Sequence, residues 1–206
     1  MRVKRSAVPI LLLGLVVVVF VASAVGPKDR LTWYLEVAPI IVGVVILGLS
    51  YRRFPLSHLV YALLFAHSVI LATGGHYTYA EVPVGFWVQD FWDLSRNPYD
   101  RLGHFAQGFV PALLAREILI RRSPLKGSRW LAFLVLCVCL SFSALYELIE
   151  WWAAVLLGQS ADEFLGTQGD IWDTQWDMFL ALIGAAAALI FFSKAHDKSM
   201  AARFDQ

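Results

Sequence analysis

Only 16% of this 206-residue chain is charged and its formal net charge is +1, so bulk charge draws it to neither a nucleic-acid backbone nor an acidic surface. No basic motif of a nucleic-acid reader interrupts it. Cysteine is scarce too. Cys137 and Cys139 stand two apart in an apolar run, pointing to different sides of a helix, and an intrachain disulfide lacks the geometry it needs. They read as small core residues. Familiar active-site signatures are also missing: there is no HExxH, no Cys/His ligand cluster, no GxSxG, no phosphate-binding loop and no arginine-rich phosphatase pattern. Nor is there an internal repeat long enough for a duplicated transporter fold. Apolar residues fill the chain instead, at 59% with a mean hydropathy of +0.63. That composition lies outside the soluble globular class and makes the bilayer the solvent.

The apolar runs predict an all-α polytopic membrane protein, one integral domain over residues 1–206. Six transmembrane helices are expected at about 7–25, 31–50, 56–73, 102–120, 130–157 and 175–192. The first follows a basic start, MRVKR. Ala22-Ser23-Ala24 resembles a signal-peptidase site, but the run is longer than a usual signal core, so a retained anchor is preferred to cleavage after Ala24. Gly26-Pro27 ends this helix, and Trp33 and Tyr34 open the next as an interfacial pair. Gly74-Gly75 is expected to break the third, which carries His58 and His67. The 74–101 connection then holds a surface-lying helix, with Phe86, Trp87, Phe91 and Trp92 on one side and Gln89, Asp90, Asp93 and Arg96 on another. Arg116 and Glu117, near the end of span four, are expected to snorkel to water. Gly158 stops span five, and Ser160 and Glu163 have capping-box spacing in the linker. Small residues at Gly108 and at Gly184 and Ala188 offer helix contact strips, and a short polar tail closes the chain.

Twelve basic residues fall on the ends and loops shared with the N-terminus: Arg2, Lys4, Arg5, Arg52, Arg53, Arg121, Arg122, Lys126, Arg129, Lys194, Lys198 and Arg203. Four fall on the other side, Lys28, Arg30, Arg96 and Arg101. The asymmetry predicts both termini in the cytoplasm of a bacterium and the chain in its inner membrane. His76, Asp100, Arg101, His104, Glu147, Glu150, Asp170, Asp173 and Asp177 then lie toward the outer face, with Glu36 and His67 as weaker members of the same layer.

Charge in hydrocarbon needs a reason. Glu147 and Glu150 share one helix face and Asp173 and Asp177 another. Asp170 and Asp173 suit a helix start. Asn97-Pro98 also reads as a start that puts Asp100 at a capping-box position, and Arg101 suits an ion pair. Asp100, Arg101, Ser160, Glu163 and Asp170 are therefore the structural candidates. Glu147, Glu150, Asp177 and His104 lie deeper and are the catalytic candidates. With His76 and Asp173 they are also the candidate ligands of a divalent cation, since carboxylates suit Mg²⁺, Mn²⁺ or Ca²⁺ and histidine admits Zn²⁺.

GGHYTYAEVP at 74–83, NPYDRLGHFAQGFVPA at 97–112, YELIEWW at 146–152 and FLGTQGDIWDTQWDM at 164–178 resemble the YjdF-like family of bacterial inner-membrane proteins. The resemblance implies localisation and a multi-pass fold but brings no catalytic residues. A looser one, through His104, Glu150, Asp173 and Asp177, is to VanZ-like membrane proteins, associated with glycopeptide-antibiotic tolerance. Three readings stay open: a structural or interaction role for the outward-facing His/carboxylate site, a metal-dependent enzyme on a lipid-linked or envelope substrate, and a proton-linked small-molecule transporter. The expected partners are the bilayer and a lipid-linked or small-molecule ligand, with no nucleic acid.

Overall fold

The computed structural model describes residues 6–157 and 167–204; Gly158 and the Ser160–Glu163 capping box lie outside the described residues. Apolar runs too long for strands become helices: α1 (Val8–Ser23), α2 (Arg30–Ser50), α3 (His58–Tyr77), α4 (Pro83–Trp92), α5 (Tyr99–Arg122), α6 (Arg129–Leu157), α7 (Asp173–Ala187) and α8 (Ser193–Phe204). A short 3₁₀ turn at Tyr79–Glu81 precedes α4, and a π turn at Ala188–Phe192 joins α7 to α8. Local chemistry sets the ends. Asp29 caps α2 by accepting the Thr32 N–H at 2.6 Å. Pro83 starts α4 where no N–H is needed, and Asp93, in the left-handed region at φ 49°, ends it.

Among the described residues four helices are long and apolar enough to cross a membrane: α2, α3, α6 and the continuous α7–α8 rod. The apolar α1 is shorter, at 16 residues, and the 24-residue α5 carries the polar groups described below. The chain alternates direction, so Ser23, Trp33 and His76 gather at one end of the bundle, with α4, while Pro55, Arg121 and α8 gather at the other. α3 is the hub, packed by α1, α2, α5 and α8, and α5 lies between α3, α6 and α7. The closest approach is α5 on α7: a Cβ at Gly108 would run into the Ala181 carbonyl, and one at Gly184 into the Phe105 carbonyl.

Three expectations change. Gly74-Gly75 does not break α3, which continues to Tyr77; the glycines serve close approach, because the Tyr79 ring lies against both Gly74 and Gly103. The polar tail is a helix, α8, with His196, Arg203 and Phe204 buried. Arg116 and Glu117 do not reach for water but are buried beneath it. Glu117 accepts from the Ser57 N–H at 2.9 Å, from Arg121 at 2.8 Å and from His196 Nε2 at 3.0 Å. Arg116 donates to His196 Nδ1 at 3.1 Å and pairs with Asp197 at 2.7 Å. The Leu59 N–H donates to Ser199 Oγ at 3.1 Å, so α8 is tied to the start of α3 and the end of α5.

α4 has the composition of a surface helix. Trp87, Phe91 and Trp92 are 72%, 79% and 64% exposed, consistent with aromatic rings held at headgroup level. Arg96 departs from that helix's polar side and turns inward to a buried position.

Candidate functional site

Helical spacing builds the site from three directions at the α4 end of the bundle. Asp100 and His104, four apart, share a face of α5; Glu147 and Glu150 share one on α6; Asp173 and Asp177 share one on α7. All six are buried. The close α5–α7 contact brings the α5 and α7 pairs together, because no side chain at Gly108 or Gly184 holds the helices apart.

His104 is the centre. Its Nε2 lies 3.4 Å from Asp100 Oδ1 and 3.7 Å from Asp177 Oδ2. Nδ1 meets Gln107 Oε1 at 2.9 Å and stands 3.8 Å from Glu147 Oε1. With Nδ1–H donating to Gln107, Nε2 is the nitrogen directed at two carboxylates. Glu150 is buried one helical turn from Glu147, and Glu36 on α2 accepts the Tyr146 hydroxyl at 3.4 Å, linking α2 to this face of α6.

A rim of arginine closes the cluster. Arg96 pairs with Asp173, with Asp100 at 3.2 Å and with Asp170 at 3.7 Å. Arg101, partly exposed, lies 3.6 Å from Asp170 and 5.7 Å from the centre of the Trp176 ring. Asp170 also accepts the Trp172 N–H at 2.9 Å, just ahead of α7. Asp100 is not the capping-box acid: the Asn97 side chain accepts from the Tyr99 N–H at 3.0 Å, while the Asn97 N–H goes to Gln168 at 3.0 Å.

Six carboxylates (Asp100, Glu147, Glu150, Asp170, Asp173, Asp177) thus face two arginines and a histidine. Burying uncompensated charge is costly, so the excess calls for a bound cation or bound protons. Glu147 Oε1 and Asp177 Oδ1 are buried with no hydrogen-bond partner. Among the described residues Asp100, His104 and Asp177 each offer a ligand atom, all within 4.8 Å of one another. Ligands about 2.0–2.6 Å from one ion lie within roughly 5 Å of each other, so these three can share one with little movement.

His76 is elsewhere, its Nδ1 2.9 Å from the Ser23 carbonyl oxygen, and His67 lines a separate cleft against α1 and α2. Arg96 and Gln107 join the site without being among the candidates the sequence offers, and Asp100 belongs to it and not to a capping box. The four-residue spacing of Asp100 and His104 was the signal available for the last; Arg96 had none, because only the turn after α4 brings it inward.

A protein-family model described as "Predicted membrane protein (DUF2238)" matches residues 8–198. The chain is also similar to "Inner membrane protein YjdF" of Escherichia coli (strain K12), 56% identical over 182 residues that cover 88% of this chain and 87% of that protein. No solved structure matches. These similarities do not show the VanZ-like resemblance.

Proposed function

This chain belongs to the DUF2238 membrane-protein family, and from that premise we propose that it is a multi-pass protein of the bacterial inner membrane whose His104-centred site binds a divalent cation. Its termini lie in the cytoplasm, α1 and α5 complete six spans, and the site opens toward the outer face. The alternating course of the helices and the clustering of basic residues at the α8 end support that orientation.

The observation that carries the cation reading is the Asp100, His104 and Asp177 triad, with its ligand atoms within 4.8 Å and, beside it, a buried Glu147 oxygen with no hydrogen-bond partner. One nitrogen and several carboxylate oxygens suit Mn²⁺ or Zn²⁺ better than Ca²⁺. Gln107 fixes the ring of His104, as outer hydrogen bonds orient metal-ligating histidines. Arg96 holds Asp100 and Asp173 in place. A cation here would polarise a phosphoryl or carbonyl oxygen or activate water, the chemistry of an enzyme acting on a lipid-linked or envelope substrate. Glu147 and Glu150 stand where a proton acceptor would be needed.

Proton-linked transport has less support. Below His104 the α5–α7 contact is closed backbone to side-chain-free backbone, and Val110, Ala112, Leu113, Val135 and Ala185 form an apolar layer before the Glu117 cluster. The test is metal content by mass spectrometry of detergent-purified full-length protein. About one Mn²⁺ or Zn²⁺ per chain is expected in the wild type, and loss of it in His104→Ala and Asp177→Ala. Folded wild-type protein that stays metal-free after exposure to excess metal, or variants that hold as much as wild type, would overturn the reading.

A further inference from the structure

The rod formed by α7, the π turn and α8 serves both buried polar centres. Near one end Asp177 stands 3.7 Å from His104, and near the other His196 is bonded to Glu117 and Arg116. All three partners lie on α5. An unbroken straight α-helix would not aim Asp177 and His196 alike: at 3.6 residues per turn the nineteen steps between them make five turns and about 100° more. Between them lies the π turn, Ala188–Phe192, whose backbone bonds run to the fifth residue instead of the fourth. It takes in one residue more than an α turn, so α8 is set back by about 100° and His196 comes round to the side of Asp177. Ser199 Oγ, which accepts the Leu59 N–H, and Arg203, which reaches His58 Nε2 at 3.0 Å, are placed by the same rotation.

We infer that the π turn is a two-register device for α8. With the extra residue looped into the turn, His196, Ser199 and Arg203 meet their partners and α8 is clasped. With the turn relaxed to α-helix, that residue passes into the rod, α8 rotates by about 100° and His196 leaves Glu117 and Arg116. The Ser193 hydroxyl donates to the Leu189 carbonyl at 2.6 Å, which keeps a carbonyl of the wider turn paired in hydrocarbon. α7 need not move, because upstream of the turn the Ala181 and Gly184 backbone is seated against α5. Ile190 and Phe191, each 73% exposed, face lipid and do not hold the turn in place. The device therefore governs the α8 clasp and leaves the His104 centre where it is.

Removing the extra residue tests this. Deleting Ile190 takes out a lipid-facing side chain and lets the turn close as α-helix with α8 still in the clasped register. Deleting Ile190 and Phe191 together leaves the rod one residue short, and neither form of the turn restores the register. Full-length protein in detergent is followed by thermal unfolding and by trypsin cleavage at Lys194 and Lys198, both exposed. Loss of Ile190 alone should leave the unfolding midpoint at the wild-type value and slow cleavage about five-fold, because proteolysis tracks the population of the open form and that form is gone. The double deletion should lower the midpoint at least as far as His196→Ala does and speed cleavage. A single deletion that unfolds as early as the double one, or fails to fold, overturns the register assignment. A single deletion cleaved as fast as wild type overturns the second register, and a double deletion as stable as wild type overturns both.

Discussion

Replacing His196 by alanine probes the second buried polar cluster, the one that fastens α8. Both His196 and Glu117 are fully buried, and the imidazole bridges the carboxylate at 3.0 Å to Arg116 at 3.1 Å. Removing it takes one partner from a buried carboxylate and one from an arginine, while Ser57 and Arg121 continue to hold Glu117. A hydrogen bond to a charged group contributes about 1.5–3 kcal/mol and a buried pair left with one member costs about 3–5 kcal/mol. With two partners remaining, the expected cost is about 2–3 kcal/mol. At about 2–4 °C per kcal/mol for a chain of this size, the unfolding midpoint should fall by roughly 5–10 °C. Thermal unfolding of detergent-purified protein measures this, and limited trypsin digestion should cut at Lys194 and Lys198 sooner in His196→Ala. Glu117→Ala should cost more, and the double variant less than the sum of the singles. The exposed Lys194→Ala is the control. A midpoint for His196→Ala indistinguishable from that control, or strictly additive singles, would refute the account of α8 as a clasped helix.

Gly108→Leu should abolish folded protein or cost well over the about 1–3 kcal/mol usual for overpacking, because the obstacle is the Ala181 backbone; Gly14→Leu, with open space around it, should express normally. The Asp29 carboxyl is held below its ordinary value of 3.8, chiefly by the hydrogen bond from the Thr32 backbone N–H. Its contribution is therefore fully present above that value and lost as pH falls through the lower folded one; the loss is small, since the group is only half-buried. Asp29→Asn, which keeps a cap without a charge, should remove this acid-side dependence from the unfolding curve. Ser23 on α1 accepts from Trp33 Nε1 at 3.1 Å and its carbonyl meets His76 at 2.9 Å, so α1 is expected to stay in the mature protein. Intact mass spectrometry of membrane-extracted protein should show the residues before Val25 retained.

Composition and hydrophobic run length were enough to read an all-helical membrane chain, and helical spacing was enough to group Glu147 with Glu150 and Asp173 with Asp177. Those are local properties: a bilayer demands that every backbone group be satisfied within its own segment, and residues three or four apart share a face whatever lies opposite. Where the segments met was another matter. Arg96 looked like a surface residue until the turn after α4 carried it among the acids. Gly74 and Gly75 read as a break in sequence, but they make room for the Tyr79 ring and for α2. The C-terminal residues read only as a short polar tail because the partners of His196, at Arg116 and Glu117, are some eighty positions earlier. Residue order is enough to tell apolar from charged positions and to place each on a helix face, and it already sets Asp100 and His104 one turn apart on α5. That Asp177 also stands at the Nε2 of His104 is a matter of packing, because this contact depends on the distance between α5 and α7, set by the missing side chains of Gly108 and Gly184.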